Sequence, residues 1–141
     1  MSVAKILAAK GSHVFAVSSQ ATVLEALKYL GEKNIGAVLV IDDNKLVGIL
    51  SERDYARKII LKGKASHDTL VAEIMTENPL TVSTEDSIDT CMGIMSEKHI
   101  RHLPVVNVGV VVGMISIGDV VTNIITSQKE TIHHLHNYIT Q

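Results

Sequence analysis

The stretch Leu46-Val47-Gly48-Ile49-Leu50-Ser51-Glu52-Arg53-Asp54 returns 65 residues later as Val111-Val112-Gly113-Met114-Ile115-Ser116-Ile117-Gly118-Asp119. Each copy is a short apolar run with a glycine inside, the pattern of a buried strand. Each run ends on a serine, and an aspartate follows three residues on, where a helix is expected to begin. A chain that states one strand-to-helix corner twice, in fixed register, is built from two equivalent units. Such units pack with pseudo-two-fold symmetry. At 141 residues in total, neither half has enough mass to bury its own faces, so pairing the halves supplies the missing core.

The register extends well beyond the corner. Asn34–Tyr55 aligns with His99–Val120 without a gap, keeping Ile35/Ile100, Val40/Val105, Val47/Val112, Gly48/Gly113, Ser51/Ser116 and Asp54/Asp119. Upstream, Thr22 and Glu25 form a capping-box start, and Val23, Ala26, Leu27 and Leu30 follow at helical spacing. Ile88, Cys91, Met92 and Met95 take those places in the second copy. Val14–Val17 and Leu80–Val82 read as brief extended pieces. Before them, Val3–Leu7 and Val71–Met75 read as short helices, here offset by 68 residues, so the loop near Ala9 to His13 is three residues longer than its partner. Asp42-Asp43-Asn44 and Asn107-Val108-Gly109 carry hairpin-turn chemistry. Past Asp54 a helix is expected through Ile60, ending near Gly63. Ile132, Leu135 and Ile139 mark an amphipathic C-terminal helix that needs something to dock on. Each half thus reads helix, strand, helix, strand, strand, helix, an α/β (α+β) chain.

Composition excludes several functions. Aromatic residues are 3% of the chain and Trp is absent, which leaves no stacking platform for single-stranded nucleic acid. A net charge of −2 gives no bulk attraction to nucleic acid or an anionic membrane. The basic cluster Arg53, Arg57, Lys58, Lys62 and Lys64 reads first as the solvated face of a helix. The apolar runs fall short of the ~18 residues of a membrane span, and the N-terminus lacks a signal-peptide h-region. A single cysteine, Cys91, cannot close an intramolecular disulfide and fits a reducing cytoplasm. It lies on an apolar helical stripe, as a core residue would. No Gly-x-Ser-x-Gly, Walker loop, Gly-x-Gly-x-x-Gly or His-Glu-x-x-His motif is present, so the chain is not expected to be an enzyme. His133, His134 and His136 do not share one helix face, and no Cys or acid completes a metal set.

The doubled pattern Ile35-Gly36-Ala37-Val38-Leu39-Val40 with Leu46–Asp54, and His99-Ile100-Arg101-His102-Leu103-Pro104-Val105-Val106 with Gly113–Asp119, resembles a stand-alone tandem pair of cystathionine-beta-synthase (CBS) domains, a Bateman module. The resemblance implies two β-α-β-β-α repeats, residues 1–66 and 67–128, followed by a C-terminal amphipathic helix over 129–141. It also implies clefts between the repeats for an adenosine compound such as AMP, ADP, ATP, NAD or S-adenosylmethionine. In such modules the corner aspartate takes the ribose hydroxyls. Carried over, these are Asp54 and Asp119, with Ser51 and Ser116 beside them. Ile35, Gly36, Ala37, Ile100, Arg101 and His102 border the purine, and Arg53, Arg101 and His102 supply phosphate donors. No cofactor is required. The partners implied are the nucleotide, a second copy of the chain in a homodimer, and a regulated protein that the sequence does not identify. The clefts are expected to be unequal, because Gly36-Ala37 stands where the second copy has Arg101-His102.

Plainer readings stand beside these. Ser51/Asp54 and Ser116/Asp119 are also helix N-caps with an acid at N3. Asp reaches back less well than Glu or Gln at that position, and Gly118 is a poor helix former; both details favour a ligand. His99, Arg101 and His102 also suit a solvated turn. The alternative function is a structural homodimerisation module with vestigial clefts.

Overall fold

The computed structural model describes residues 2–140. In chain order the elements are α1 (Val3–Lys10), β1 (Ala16–Val17), α2 (Val23–Lys33), β2 (Ala37–Asp42), β3 (Lys45–Ser51), α3 (Glu52–Tyr55), α4 (Val71–Ile74), β4 (Thr76–Glu77), α5 (Ile88–Lys98), β5 (His102–Asn107), β6 (Val110–Ser116) and α6 (Ile117–Thr140). The expected helix past Asp54 forms, but it widens after α3 into a π-helical segment over Ala56–Ile60.

Local chemistry explains most boundaries. Thr22 Oγ1 accepts from the Glu25 amide and Glu25 accepts from the Thr22 amide, both at 3.2 Å, starting α2 as its capping box predicts. Ser87 starts α5 by accepting from the Thr90 amide. Asn34 and His99 close α2 and α5 in left-handed conformations, φ 54° and 56°, a geometry that Asn and His adopt more readily than most residues. The hairpin turns hold Asp43 and Asn44, then Val108 and Gly109, at positive φ, as tight turns between twisted strands require. Both hairpins slip register at the same place, between Val40 and Ile41 and between Val105 and Val106.

The first sheet runs β1-β2-β3-β4, with β1 parallel to β2 and the other pairs antiparallel. The second is the antiparallel pair β5-β6. There the piece expected over Leu80–Val82 is reduced to a parallel bridge from Val82 to Val105.

The two cores interleave. Val23, Ala26, Leu30, Val38, Val40, Leu50 and Ile59 bury together with Val71 and Ile74 from α4, whereas Val3, Ile6 and Leu7 from α1 bury with Val82, Ile88, Cys91, Met95, Leu103, Val105, Ile115 and Val120. Each repeat therefore lends its leading helix to the other. Backbone bonds fix the exchange: Val3 and Ala4 amides donate to the Asp86 and Thr84 carbonyls, and the Val71 amide donates to Ala21. A boundary after residue 66 divides the sequence repeats but not the packed units. The exchange also accounts for the repeated glycine. A Cβ on Gly48 would lie 3.0 Å from the Thr76 carbonyl oxygen and closer still to the Met75 sulfur, and one on Gly113 would lie 2.9 Å from Leu7 Cδ2. Both strands carry glycine where the borrowed helix packs closely against them.

The separate C-terminal helix expected from residue 129 does not exist as a unit. α6 runs unbroken from Ile117 to Thr140, because no glycine or proline follows Gly118 to end it. Its first half reaches the second core through Val120 and Ile124. On the chain alone Ile132, Leu135 and Ile139 are exposed. Among the described residues no helix is long and apolar enough to cross a membrane.

Candidate functional site

The two corners fold alike. Ser51 Oγ accepts from the Asp54 amide at 3.1 Å while Asp54 Oδ2 accepts from the Ser51 amide at 3.0 Å. Ser116 and Asp119 repeat this at 3.1 and 2.8 Å. Asp at N3 therefore does reach back fully, contrary to the expectation from its short side chain. The plain cap reading holds at both corners. Gly118 likewise faces only ordinary contact, its nearest neighbour for an added Cβ being Ser116 Oγ at 3.6 Å.

Beyond the cap the corners diverge. Asp54 Oδ2 is engaged by Ser51, but among the described residues Oδ1 has only two long contacts, to Lys58 Nζ and Thr76 Oγ1 at 3.5 Å. Lys58 is itself tied to the Ile74 carbonyl at 2.9 Å. Asp54 lines a cleft of about 670 Å³ between the repeats, walled on one side by Ser51, Glu52, Arg53 and Arg57 and on the other by Lys98, His99, Ile100, Arg101 and His102. Gly36, Ile49, Thr76 and Pro79 complete it. Four fixed cations, Arg53, Arg57, Lys98 and Arg101, face two carboxylates, Glu52 and Asp54. Arg53 Nη1 donates to the His99 carbonyl at 3.2 Å, tying α3 of one repeat to the end of α5 of the other.

Asp119 is instead held by Lys10, whose Nζ stands 2.7 Å from Oδ2 and 2.9 Å from the Met114 carbonyl oxygen. Burial pushes the Asp119 carboxyl up, but the Lys10 hydrogen bond, the Ser116 amide and the Lys10 charge together bring it below its ordinary value.

His102 lies where the repeats meet. Its ring is 3.6 Å from where a Cβ on Gly36 would stand. The unequal pair Gly36-Ala37 and Arg101-His102 thus meets across the repeats, with the imidazole of one side at ordinary contact distance from the glycine of the other. Burial pushes His102 below its ordinary value; the Asp119 charge opposes this, while Lys10 and Arg101 add to it.

Of the residues singled out in the sequence, Ser51, Arg53, Asp54, Gly36, Ile100, Arg101 and His102 come together in one cleft. Ser116 and Asp119 are not in its wall. Ile35 lines a neighbouring groove of about 580 Å³ with Leu27, Leu30, Gly31, Asn34, Gly36, Glu52 and Tyr55. Ala37 has no exposed surface and pairs with Ser51 inside the sheet, so it is not available to a ligand. Arg57 and Lys98 were not among the candidates. Arg57 belongs to the basic cluster read as a solvated face, and only the fold shows that this part of the cluster turns into a cleft. Among the described residues no group of three or more His, Cys, Asp or Glu side chains could hold a metal ion.

The model of the CBS domain matches residues 9–61 and 71–126. The mitochondrial CBS domain-containing protein CBSX3 of Arabidopsis thaliana is 40% identical over 123 residues, 84% of this chain and 60% of that protein. The chain thus spans less than two thirds of this relative's length, and the match to another Arabidopsis CBS protein covers 20% of that protein. A solved CBS-domain protein from Burkholderia ambifaria superposes with a TM-score of 0.88 at 44% identity, covering 91% of this chain and 96% of that one. A CBS domain protein from Pyrobaculum aerophilum complexed with AMP superposes with a TM-score of 0.75 at 27% identity, covering 84% and 89%.

Proposed function

The chain belongs to the CBS-domain family as a tandem pair of repeats, and on that premise we propose that it is a non-catalytic regulatory module that senses an adenine nucleotide, of the AMP, ADP, ATP or NAD class, in the cleft beside Asp54. The carrying observation is the pairing of a carboxylate oxygen short of close partners with four cations around one cavity. A carboxylate accepts well from two vicinal ribose hydroxyls. Arginine forks match phosphate oxygens. The cavity size lies within the range of small-molecule sites. The AMP complex of the Pyrobaculum relative supports the same ligand class. Ser51 and Asp54 bond each other in a cap, an arrangement that positions a carboxylate rather than activating a nucleophile.

The test is a melting screen with AMP, ADP, ATP and NAD on the parent and on Asp54→Ala. A ligand that binds only the native state at a hundred times its Kd adds about 2.7 kcal/mol. A clear rise in Tm is expected for the parent, and Asp54→Ala should lose the part of it that the cleft beside Asp54 contributes. No shift with any of the four overturns the reading.

We also propose that the module pairs with a second copy of itself. Two grooves stand in the 65-residue register: the one holding Ile35, and one lined by Arg53, Met92, Met95, Ser96, His99, Ile100, Arg101 and Ile117. Ile60, Val121 and Ile125 are exposed as well. Light scattering at micromolar concentration should return a dimer mass, and a monomer contradicts the pairing. A dimer that no nucleotide stabilises favours the structural module with vestigial clefts, a reading supported by the cation already seated on Asp119. The regulated protein is a further partner in this proposal. The compartment proposed is a reducing one, with the cytoplasm as the expectation; the Arabidopsis relative is described as mitochondrial.

A further inference from the structure

We propose that Lys10 sets which ligands the Asp119 corner accepts: phosphates on a ligand draw its ammonium off the carboxylate and free Asp119 for the ribose, whereas an uncharged nucleoside must break the ion pair unaided. This rests on the nucleotide-sensing reading and extends it to the second corner.

Three observations carry the inference. First, the clamp comes from outside the repeat. Lys10 ends α1, the helix lent by the other repeat, and its counterpart in the 68-residue register is the uncharged Asn78. At the Asp54 corner the cation comes from the same helix and is looser: Lys58 Nζ stands 3.5 Å from Oδ1 and donates instead to the Ile74 carbonyl at 2.9 Å. Second, the pair is reached by solvent. The Lys10 side chain is 36% exposed and that of Asp119 23%. Its two acceptors, Asp119 Oδ2 and the Met114 carbonyl, leave one of three ammonium protons for a third partner. A flexible four-carbon stem lets Nζ move without shifting α1. Third, Asn123 stands at the helical position of Lys58, one turn past Asp119, and its buried Oδ1 has no donor among the described residues. A hydroxyl or amino group of a ligand is a suitable donor.

The pair therefore behaves as a selective closure. Adenosine brings ribose hydroxyls but nothing to receive the displaced ammonium. ATP brings both. Lysine suits this exchange because it is a mobile point charge, and Arg at the same place keeps the charge while changing its shape.

Calorimetry on the full chain tests it, with ATP and adenosine as probes, in an Asp54→Ala background that silences the first cleft; Asp54→Asn serves the same purpose without deleting the side chain. The background should bind ATP at least tenfold more tightly than adenosine, about the worth of one charge-assisted hydrogen bond. Adding Lys10→Met should reduce that ratio by about tenfold, with adenosine gaining affinity and ATP losing it. Lys10→Arg should preserve the preference for ATP, and it keeps the test decisive if the Met variant folds poorly. A ratio unchanged in Lys10→Met, a preference lost in Lys10→Arg, or no ATP binding in the background overturns the proposal. If the parent binds one equivalent that Asp54→Ala abolishes, only this inference falls. If the parent binds no adenine nucleotide, the nucleotide-sensing reading falls with it.

Discussion

Asp54 and Asp119 make the same reciprocal cap with the serine three residues before them, yet one faces a cationic cleft and the other is bound to Lys10. The corner itself is a local structure, and local rules give it the same shape twice. Its surroundings are assembled from the opposite repeat and from the exchanged helices, which have diverged more freely. Asn78 and Lys10, or Lys58 and Asn123, occupy matching positions with different charges. The duplicated fold thus provides two frames. What each frame can hold is decided by side chains that reach it from elsewhere in the chain.

The helix exchange is the part of this comparison that admits the largest test. Ile6 and Ile74 are matching residues of α1 and α4, both buried, but each sits in the core of the other repeat. Replacing either by Ala should cost about 2–5 kcal/mol. Hydrogen exchange should then show where the loss falls: Ile6→Ala should loosen β5 and β6 first, and Ile74→Ala should loosen β2 and β3. The reverse pattern would mean that each leading helix serves its own repeat, and the interleaving would be wrong.

A smaller effect separates the two strand glycines. Gly48→Ala pushes a methyl against both the Met75 side chain and the Thr76 carbonyl, whereas Gly113→Ala meets chiefly the mobile tip of Leu7. Overpacking of this kind costs about 1–3 kcal/mol, and backbone yields less readily than a leucine methyl. Denaturant melts should therefore rank Gly48→Ala below Gly113→Ala in stability. Equal losses would show that the backbone contact at Thr76 relaxes without cost.

The boundary between what the sequence makes legible and what it does not follows the same line. Thr22 with Glu25, the turn residues Asp43 and Asn44, and the two serine–aspartate corners all act within a few residues, and each forms as its local chemistry dictates. The family resemblance adds the pairing of two repeats. Apolar spacing over Val3–Leu7 says that the helix buries a face, but it cannot say against which core. Charge in Arg53–Lys64 marks an exposed segment without saying that Arg53 and Arg57 turn toward α5 of the opposite repeat. Ile35 and Ala37 flank Gly36 in sequence, yet only Gly36 meets the Asp54 cleft, because Ala37 is enclosed in the sheet and Ile35 faces the neighbouring groove. Lys10 carries no local signal, since its role depends on a partner 109 residues away.

The smallest test lies where the repeats meet, at His102. Its ordinary value is near 6.5, and burial lowers it. The unfolded chain then takes up a proton at a pH where the folded chain does not. Stability should consequently fall as pH drops from about 6.5 toward the folded value and level off below it. The charges facing the ring give the comparison its sharper form. Lys10 and Arg101 disfavour the imidazolium and Asp119 favours it. In an NMR titration of the imidazole, Lys10→Met should raise the midpoint and Asp119→Asn should lower it. Opposite shifts from two partners of one ion pair would tie His102 to the closed corner. A midpoint indifferent to both would show that the ring answers to burial alone and has no electrostatic tie to the closed corner.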